Sequence, residues 1–272
     1  MASYEGFADL ERDGWSDDQI SANYVGMFSS ASDLAIPAIL SEIKEPARVL
    51  DLCCGQGNVT EALLHAGFQA IGADFSATML AHARERLPRG EFVEADAQDL
   101  PFEDATFDAV TCSFGLMHVP DQPQALREIR RVLGPEGRFI MTSWCGPDVS
   151  PAFQVFYGSV QEHSHASVKM PDSPDFHQYA DASMAMSLLA EAGLQLETQR
   201  QVDCYWRLET PQALAEIFNK GAPRGGYLLT QQPEANRIAI KEAVTAKVQE
   251  SFADGNRWRV PIPASLVVAK AI

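Results

Sequence analysis

The chain has 272 residues, 46% hydrophobic and 21% charged, enough apolar material for a large α/β core plus an insertion. Its 37 acidic and 21 basic side chains leave a formal net charge of −16 with no basic run. Such a field repels phosphate backbones and anionic lipid surfaces, so neither nucleic acid nor a membrane is an expected partner. No apolar stretch reaches the ~20 residues needed to span a bilayer, and the N-terminal segment lacks the regions of a signal peptide. Five cysteines, an odd number without C-x-x-C spacing, argue for reduced thiols, a cytoplasmic setting and no metal.

Residues 16–27 and 33–43 predict two helices, the first opened by a Ser-Asp-Asp cap. From 48 to 144, short apolar runs alternate with amphipathic stretches. The runs 48–53, 69–74, 91–96, 107–113 and 137–144 predict strands, and 58–65, 76–87 and 123–133 predict helices. Leu126, Ile129, Val132 and Leu133 show the helical spacing in the last of these. Gly67, Gly134 and Gly137 stand where helices should stop. Segment 146–180, rich in Pro, Ser and His, predicts an irregular insertion. A helix at 183–192 ends at Gly193 and leads into a strand at 195–207. Helices at 211–220 and 233–251 flank a Gly-Gly loop, and 257–269 closes the chain as a strand pair or bent strand. Alternation of this kind predicts parallel strands joined by right-handed crossovers. The fold class is α/β: a doubly wound, Rossmann-like, seven-stranded mixed sheet with helices on both faces, one antiparallel strand near the C-terminus and a helical cap.

The first strand ends in VLDLCCGQGNVT, residues 49–60. A glycine-rich turn into a helix lets backbone N–H groups approach a ligand, as in dinucleotide sites. Here Thr60 stands where the third glycine of that fingerprint belongs, and Asp51 precedes the glycines. A carboxylate there repels a pyrophosphate and attracts an amino group, which favours a ligand with a cationic part. In AIGADFSATM, Asp74 falls at the exposed carboxyl edge of the second strand, at the spacing of an acid that accepts both ribose hydroxyls. Ser76 is the better helix cap. In EFVEADAQDLPF, Asp96 reaches the same edge, where it can accept from an adenine amine with the backbone of Ala97 helping.

Four segments in order over residues 46–144, VLDLCCGQG, GADFSATML, ADAQDLPFEDATFDAV and LREIRRVLGPEGRFI, carry a resemblance. The chain resembles the class I S-adenosylmethionine (SAM)-dependent methyltransferases, nearest the type 11 group that includes the ubiquinone and menaquinone C-methyltransferases. The resemblance implies SAM as cofactor, S-adenosylhomocysteine (SAH) as product and a small-molecule acceptor. It places the loop 51–57, with Asp51, Cys53, Gly55 and Gly57, on the methionine moiety, Asp74 on the ribose, and Asp96 with Ala97 near the adenine. Phe75, Met79 and Ser113 complete the expected cofactor set, with the Ser113–Gly115 backbone facing the sulfonium and methyl, and Tyr24 resembles an aromatic that folds over SAM. One departure is Cys53, where the family usually has glycine.

The implied domain plan is N-terminal helices closing over the cofactor in 1–45, a SAM-binding core in 46–145, the irregular insertion 146–180, and a C-terminal part of the core in 181–272 with a cap insertion at 207–256. Methyl transfer by in-line displacement needs chiefly alignment, and a base only where the acceptor sheds a proton. His118, after the fourth strand, is the candidate base. Trp144, Trp206, Arg224 and Tyr227 are candidates for the acceptor pocket, with Arg224 pairing an anionic group. His163 and His165 alternate as metal ligands can, but read as an insertion loop, so no metal is assigned. The rival readings are an NAD-type oxidoreductase, which Asp51 and Thr60 disfavour, and a SAM-binding protein without turnover. A homodimer is left open.

Overall fold

The apolar runs become strands and the periodic stretches become helices in a computed structural model that describes residues 4–44 and 47–272. The expected domain boundary at 45–46 lies outside the described residues. The N-terminal segment forms α1 (Glu5–Ser16), α2 (Asp18–Asn23), a π turn (Tyr24–Phe28), α3 (Ser29–Ser32) and α4 (Ile36–Leu40). There follow β1 (Arg48–Leu52), α5 (Asn58–His65), β2 (Gln69–Asp74), α6 (Ala77–Arg86), β3 (Glu91–Glu94) and β4 (Phe107–Ser113). Next come α7 (Gln122–Val132), β5 (Leu133–Trp144), α8 (Pro151–His163), α9 (Ala182–Glu191), β6 (Leu194–Val202) and β7 (Tyr205–Leu208). The chain ends with α10 (Ala213–Lys220), α11 (Pro223–Thr230), α12 (Glu234–Ser251), β8 (Ala253–Asp254), β9 (Arg257–Pro261) and β10 (Ala264–Ala271).

Seven strands form one mixed sheet in the order β3-β2-β1-β4-β5-β10-β6. Strands β1 to β5 pair in parallel, and β10 runs antiparallel to both β5 and β6. From β1 the chain steps outward through β2 to β3, then returns to lay β4 on the other side of β1. Right-handed crossovers that reverse direction put helices on opposite faces, and the reversal opens a crevice at the carboxyl ends of β1 and β4. That geometry, set by strand order alone, marks where a ligand belongs.

The chain divides into two compact units. One holds the seven-stranded sheet and is built from 35–144, 174–202 and 264–272. Its core includes Leu50, Leu52, Phe107, Val110, Phe139 and Met141 of the strands with Leu126 and Ile129 of α7, all at most 1% exposed. Burying each such side chain contributes about 1.5–3 kcal/mol. The other unit is built from 1–34, 145–173 and 203–263, and is helical with a small antiparallel sheet β7-β9-β8. Its interior is aromatic: Phe156 stacks on Phe218 at 4.2 Å between centroids, and Phe28 meets Trp206 edge-on at 5.0 Å. No helix among the described residues is long and apolar enough to cross a membrane.

Several expectations are corrected. The predicted helix 16–27 is preceded by α1, whose buried Phe7, Glu11, Gly14 and Trp15 recur at helical spacing. Asp17 caps α2, accepting from the backbone N–H groups of Gln19 and Ile20. The predicted helix 33–43 shrinks to α4 because Pro37 fits only its first turn. The irregular insertion contains α8, which buries Ala152, Phe153, Val155, Phe156 and Ser159. The strand expected at 195–207 breaks at Asp203–Cys204 into β6 and β7, which join different sheets, and 257–269 likewise divides into β9 and β10. Gly137, expected to end a helix, lies inside β5.

The Gly-Gly loop is instead the middle of α11. A Cβ on Gly225 would stand 2.3 Å from the carbonyl oxygen of Phe218, and one on Gly226 2.8 Å from that of Asn219. These glycines let α11 press against the backbone of α10, which is a packing demand and not a hinge.

Candidate functional site

Asp51 lies near the end of β1 and is 1% exposed. Thr60 Oγ1 on α5 donates to one of its oxygens at 2.6 Å, and Thr111 Oγ1 on β4 donates to the other at 3.0 Å. The Thr60 hydroxyl thus braces Asp51 at the position where a dinucleotide site would have glycine. Burial pushes the Asp51 carboxyl up from 3.8 to about 6, opposed by the two hydroxyls. The turn that follows needs left-handed backbone at Cys53 (φ 56°), Gly55 (53°) and Gly57 (79°). It is stitched to β2 by the Cys54 N–H, which donates to the Ala73 carbonyl at 3.0 Å.

Asp74 closes the other side of the turn. One carboxylate oxygen accepts from the Gly55 N–H at 2.9 Å and the other from the Ser76 N–H at 2.9 Å. It is buried, not exposed at the strand edge, and burial raises its carboxyl above the usual range. Ser76 caps α6 by accepting from the Met79 N–H at 3.1 Å. The Met79 methyl comes 3.1 Å from where a Cβ on Gly55 would stand, while Phe75 next to Asp74 is 38% exposed. Two buried carboxyls, both raised, therefore flank one glycine turn at the strand-order reversal. Such a site favours a ligand that brings a positive charge and hydroxyl donors.

Asp96 lies beyond the end of β3 and is exposed, and its carboxylate accepts from the Gln98 backbone N–H at 2.8 Å and from the Gln98 side-chain amide. Ala97 beside it is buried. Ser113 ends β4, its hydroxyl 3.2 Å from that of Thr142. The next residues turn sharply: Phe114 has φ 54°, and a Cβ on Gly115 would stand 2.3 Å from Cβ of Cys53. A side chain at Cys53 thus leaves room only for glycine at 115. Hydrogen bonding to Cys112 and burial push the Cys53 thiol well above its ordinary range.

From Phe114 a chain of contacts leads to His118. Trp144, 3% exposed, stacks on Phe114 with centroids 3.8 Å apart. The Trp144 carbonyl lies 3.0 Å from Nδ1 of His177. The His177 ring meets Phe176 edge-on at 5.2 Å, and Phe176 meets His118 edge-on at 5.5 Å. His118 opposes, electrostatically, the rise that burial imposes on the Asp74 carboxyl. The sheet unit thus brings Asp51, Cys53, Gly55, Gly57, Asp74, Met79, Ser113, His118 and Trp144 to its β1, β2, β4 and β5 ends. Sequence reasoning missed Phe176 and His177, because PDSPDFHQYA has no periodicity and only its fold-back onto Trp144 gives it a role.

The remaining candidates belong to the other unit. Tyr24 opens the π turn, stacked on Phe28 at 5.4 Å and edge-on to Trp15 at 5.2 Å. Trp206 is 1% exposed and donates its indole N–H to the Phe28 carbonyl at 3.1 Å, which makes it part of that unit's interior. Arg224 sits on α11, donates to Ser173 Oγ at 3.2 Å and lies 5.4 Å over the Phe7 ring; Tyr227 is half-buried on the same helix. His163 ends α8 and His165 bonds Ser167 Oγ at 2.7 Å, so the pair does not share a loop. Among the described residues, no three His, Cys, Asp or Glu side chains gather as a metal site would require.

Residues 50–141 match the family model described as "Methyltransferase domain". The demethylmenaquinone methyltransferase of Clavibacter sepedonicus is 48% identical over 105 residues, which is 38% of this chain and 43% of that protein. The demethylmenaquinone methyltransferase of Bacillus subtilis (strain 168) is 33% identical over 178 residues, 57% of this chain and 74% of that protein. The chain spans about half the length of the first of these curated relatives. A solved SAM-dependent methyltransferase from Methanosarcina mazei superposes with a TM-score of 0.54 at 16% identity, over 87% of this chain and 97% of that one, a likeness of fold.

Proposed function

The chain belongs to the SAM-dependent methyltransferase family, and we propose that it transfers the methyl group of SAM to a small-molecule acceptor by in-line displacement. The observation that carries this reading is the pair of buried carboxyls, Asp51 and Asp74, on either side of the glycine turn. Asp51 suits the amino group of the methionine moiety, and Asp74 suits the ribose hydroxyls. Phe75, Met79 and Ser113 border the same turn and strand ends, and Asp96 with Ala97 suits the adenine. SAM supplies an electrophilic methyl on a cationic sulfur and leaves as the neutral thioether SAH. The protein's share is then alignment and exclusion of water, worth up to about 7–11 kcal/mol for well-oriented groups.

The names of the relatives make a quinone-type ring the first acceptor to try. Five free cysteines support a cytoplasmic setting, and the charge of −16 supports a reading without nucleic acid.

Asp74→Ala should weaken SAM by about 1.5–3 kcal/mol, or ~10–150-fold, as expected for hydrogen bonds to a charged group. Asp74→Asn should be milder, since the amide still accepts one bond. Calorimetric titration checks both, and an unchanged affinity would remove the ribose assignment. SAM and SAH should raise the thermal midpoint of the wild type where NAD does not, because only a ligand of the native state stabilises it.

A further inference from the structure

Strand β7 alternates: Trp206 and Leu208 are buried, and Tyr205 and Arg207 take the opposite face. In the antiparallel ladder Arg207 stands directly across from Arg259 of β9, and both arginines are exposed. Side chains so opposed share a face with Cβ atoms about 4.5–5.5 Å apart, and like charges there are destabilising. Both guanidiniums meet one ring, Arg259 at 3.9 Å and Arg207 at 5.7 Å from the Tyr205 centroid. A ring steadies a cation without neutralising it. Among the described residues, neither arginine side chain has an ion pair or hydrogen bond. Arg257, two residues along the same face, is by contrast paired with Glu209 at 2.7 Å and stands across from Asp254. In a chain with 37 acidic and 21 basic residues, an acid at either position would remove the repulsion, yet both positions hold arginine.

We propose that Arg207 and Arg259 form a binding site for a single phosphate group, free or carried on a small molecule. A phosphate carries about 1.5–2 negative charges at neutral pH and three or more acceptor oxygens, a match for two guanidinium forks. It takes the place of the acid that the ladder lacks, and Tyr205 holds the forks for it. Both arginines are open to solvent, so the group reaches them without a cavity. A nucleic acid would need a run of basic residues, which the sequence does not have. The net charge of −16 repels an anion at long range, so the affinity comes from short contacts and survives screening of the field. The site is built from one stretch of the helical unit, residues 203–263, and is independent of the methyl-transfer reading.

The test uses ¹⁵N-arginine-labelled protein with inorganic phosphate, glycerol 2-phosphate and acetate, at neutral pH and constant ionic strength set with chloride. Arg207→Lys and Arg259→Lys assign the two Nε–H signals. Both signals should shift as phosphate is added, while that of Arg12, which is held by Asp9, should not. Phosphate should bind about tenfold or more tighter than acetate, whose single charge fits one fork. Arg207→Thr, with a side chain suited to strands, should weaken phosphate about tenfold or more. Arg207→Lys keeps the charge without the fork and should fall between. In chloride alone the urea midpoint of Arg207→Thr should be no lower than that of the wild type, and phosphate should raise the wild-type midpoint only. Tighter binding of glycerol 2-phosphate than of inorganic phosphate supports an organic phosphate as the ligand, and the reverse or equality supports the free ion. No shift at the two arginines, an equal response to acetate, or undiminished phosphate binding in Arg207→Thr overturns the proposal. So does a loss of stability in Arg207→Thr that is the same with and without phosphate, the mark of a packing role alone.

Discussion

Asp51 is a carboxyl that the fold makes uncomfortable as an anion, and this has a measurable cost in the cofactor-free protein. Its folded value, about 6, lies above the ordinary 3.8, so the folded state binds the proton more tightly than the unfolded chain does. The stability it contributes is complete below the ordinary value and is lost as pH rises through about 6. At pH 8, Asp51→Asn should therefore be more stable than wild type by up to about 3 kcal/mol, two pK shifts' worth, with the gap closing towards pH 4. Urea titrations at the two pH values check this, and a gap that is absent or grows on acidification would contradict it. The same substitution should lose SAM affinity, since the charge that destabilises the empty site is the one a cationic ligand needs. Asp51 and Asp74 could be found in the sequence because both stand next to short motifs with fixed spacing. Their burial, and the bracing of Asp51 by Thr60 and Thr111, could not, since Thr111 comes from another strand. The dependence of Gly115 on Cys53 and the anchoring of His177 by Trp144 were hidden for the same reason: each joins residues distant in the chain.

Glycines inside helices show how local preference and tertiary contact divide at the level of elements. Gly158 lies within α8, and a Cβ there would come no nearer than 3.9 Å to any other group, the Lys247 Nζ. Gly158→Ala should stabilise the protein by about 0.5–1 kcal/mol, the intrinsic helix preference. Gly225→Ala carries the same intrinsic gain but drives a methyl into the Phe218 carbonyl, so overpacking of about 1–3 kcal/mol should leave it destabilised. Opposite signs in paired denaturation curves are the expected result, and stabilisation by Gly225→Ala would mean that α11 does not press on α10. The β-α alternation from β1 to β5 was legible because each element there carries a clear apolar period. Helix α8 was not, since Pro151, Ser159 and His163 gave its segment a loop composition although its buried side chains recur at helical spacing. The division of 195–207 between two sheets was also illegible, because both halves read as strand and only their partners differ.

The whole molecule carries a net charge of −16, while most of the ion pairs among the described residues have at least one exposed partner and are each worth little. Its long-range field is therefore negative, and the carboxylates of Asp51 and Asp74 at the ends of β1 and β2, where ionised, add to it at the glycine turn. SAM carries one more positive charge than SAH, because the product has lost the sulfonium. The field should speed the arrival of SAM and leave SAH nearly indifferent. Screening shortens the reach of the field from ~30 Å at 10 mM salt to ~8 Å at 150 mM. Over that range the association rate constant of SAM, followed by quenching of tryptophan fluorescence in a stopped-flow instrument, should fall several-fold, as steered association does. That of SAH should stay level. The comparison removes effects of salt on the protein's own conformation, since both ligands enter the same site. Parallel salt dependence for the two ligands would show that the surface charge is not focused on the turn, and that the attraction for SAM resides only in the contacts made after binding.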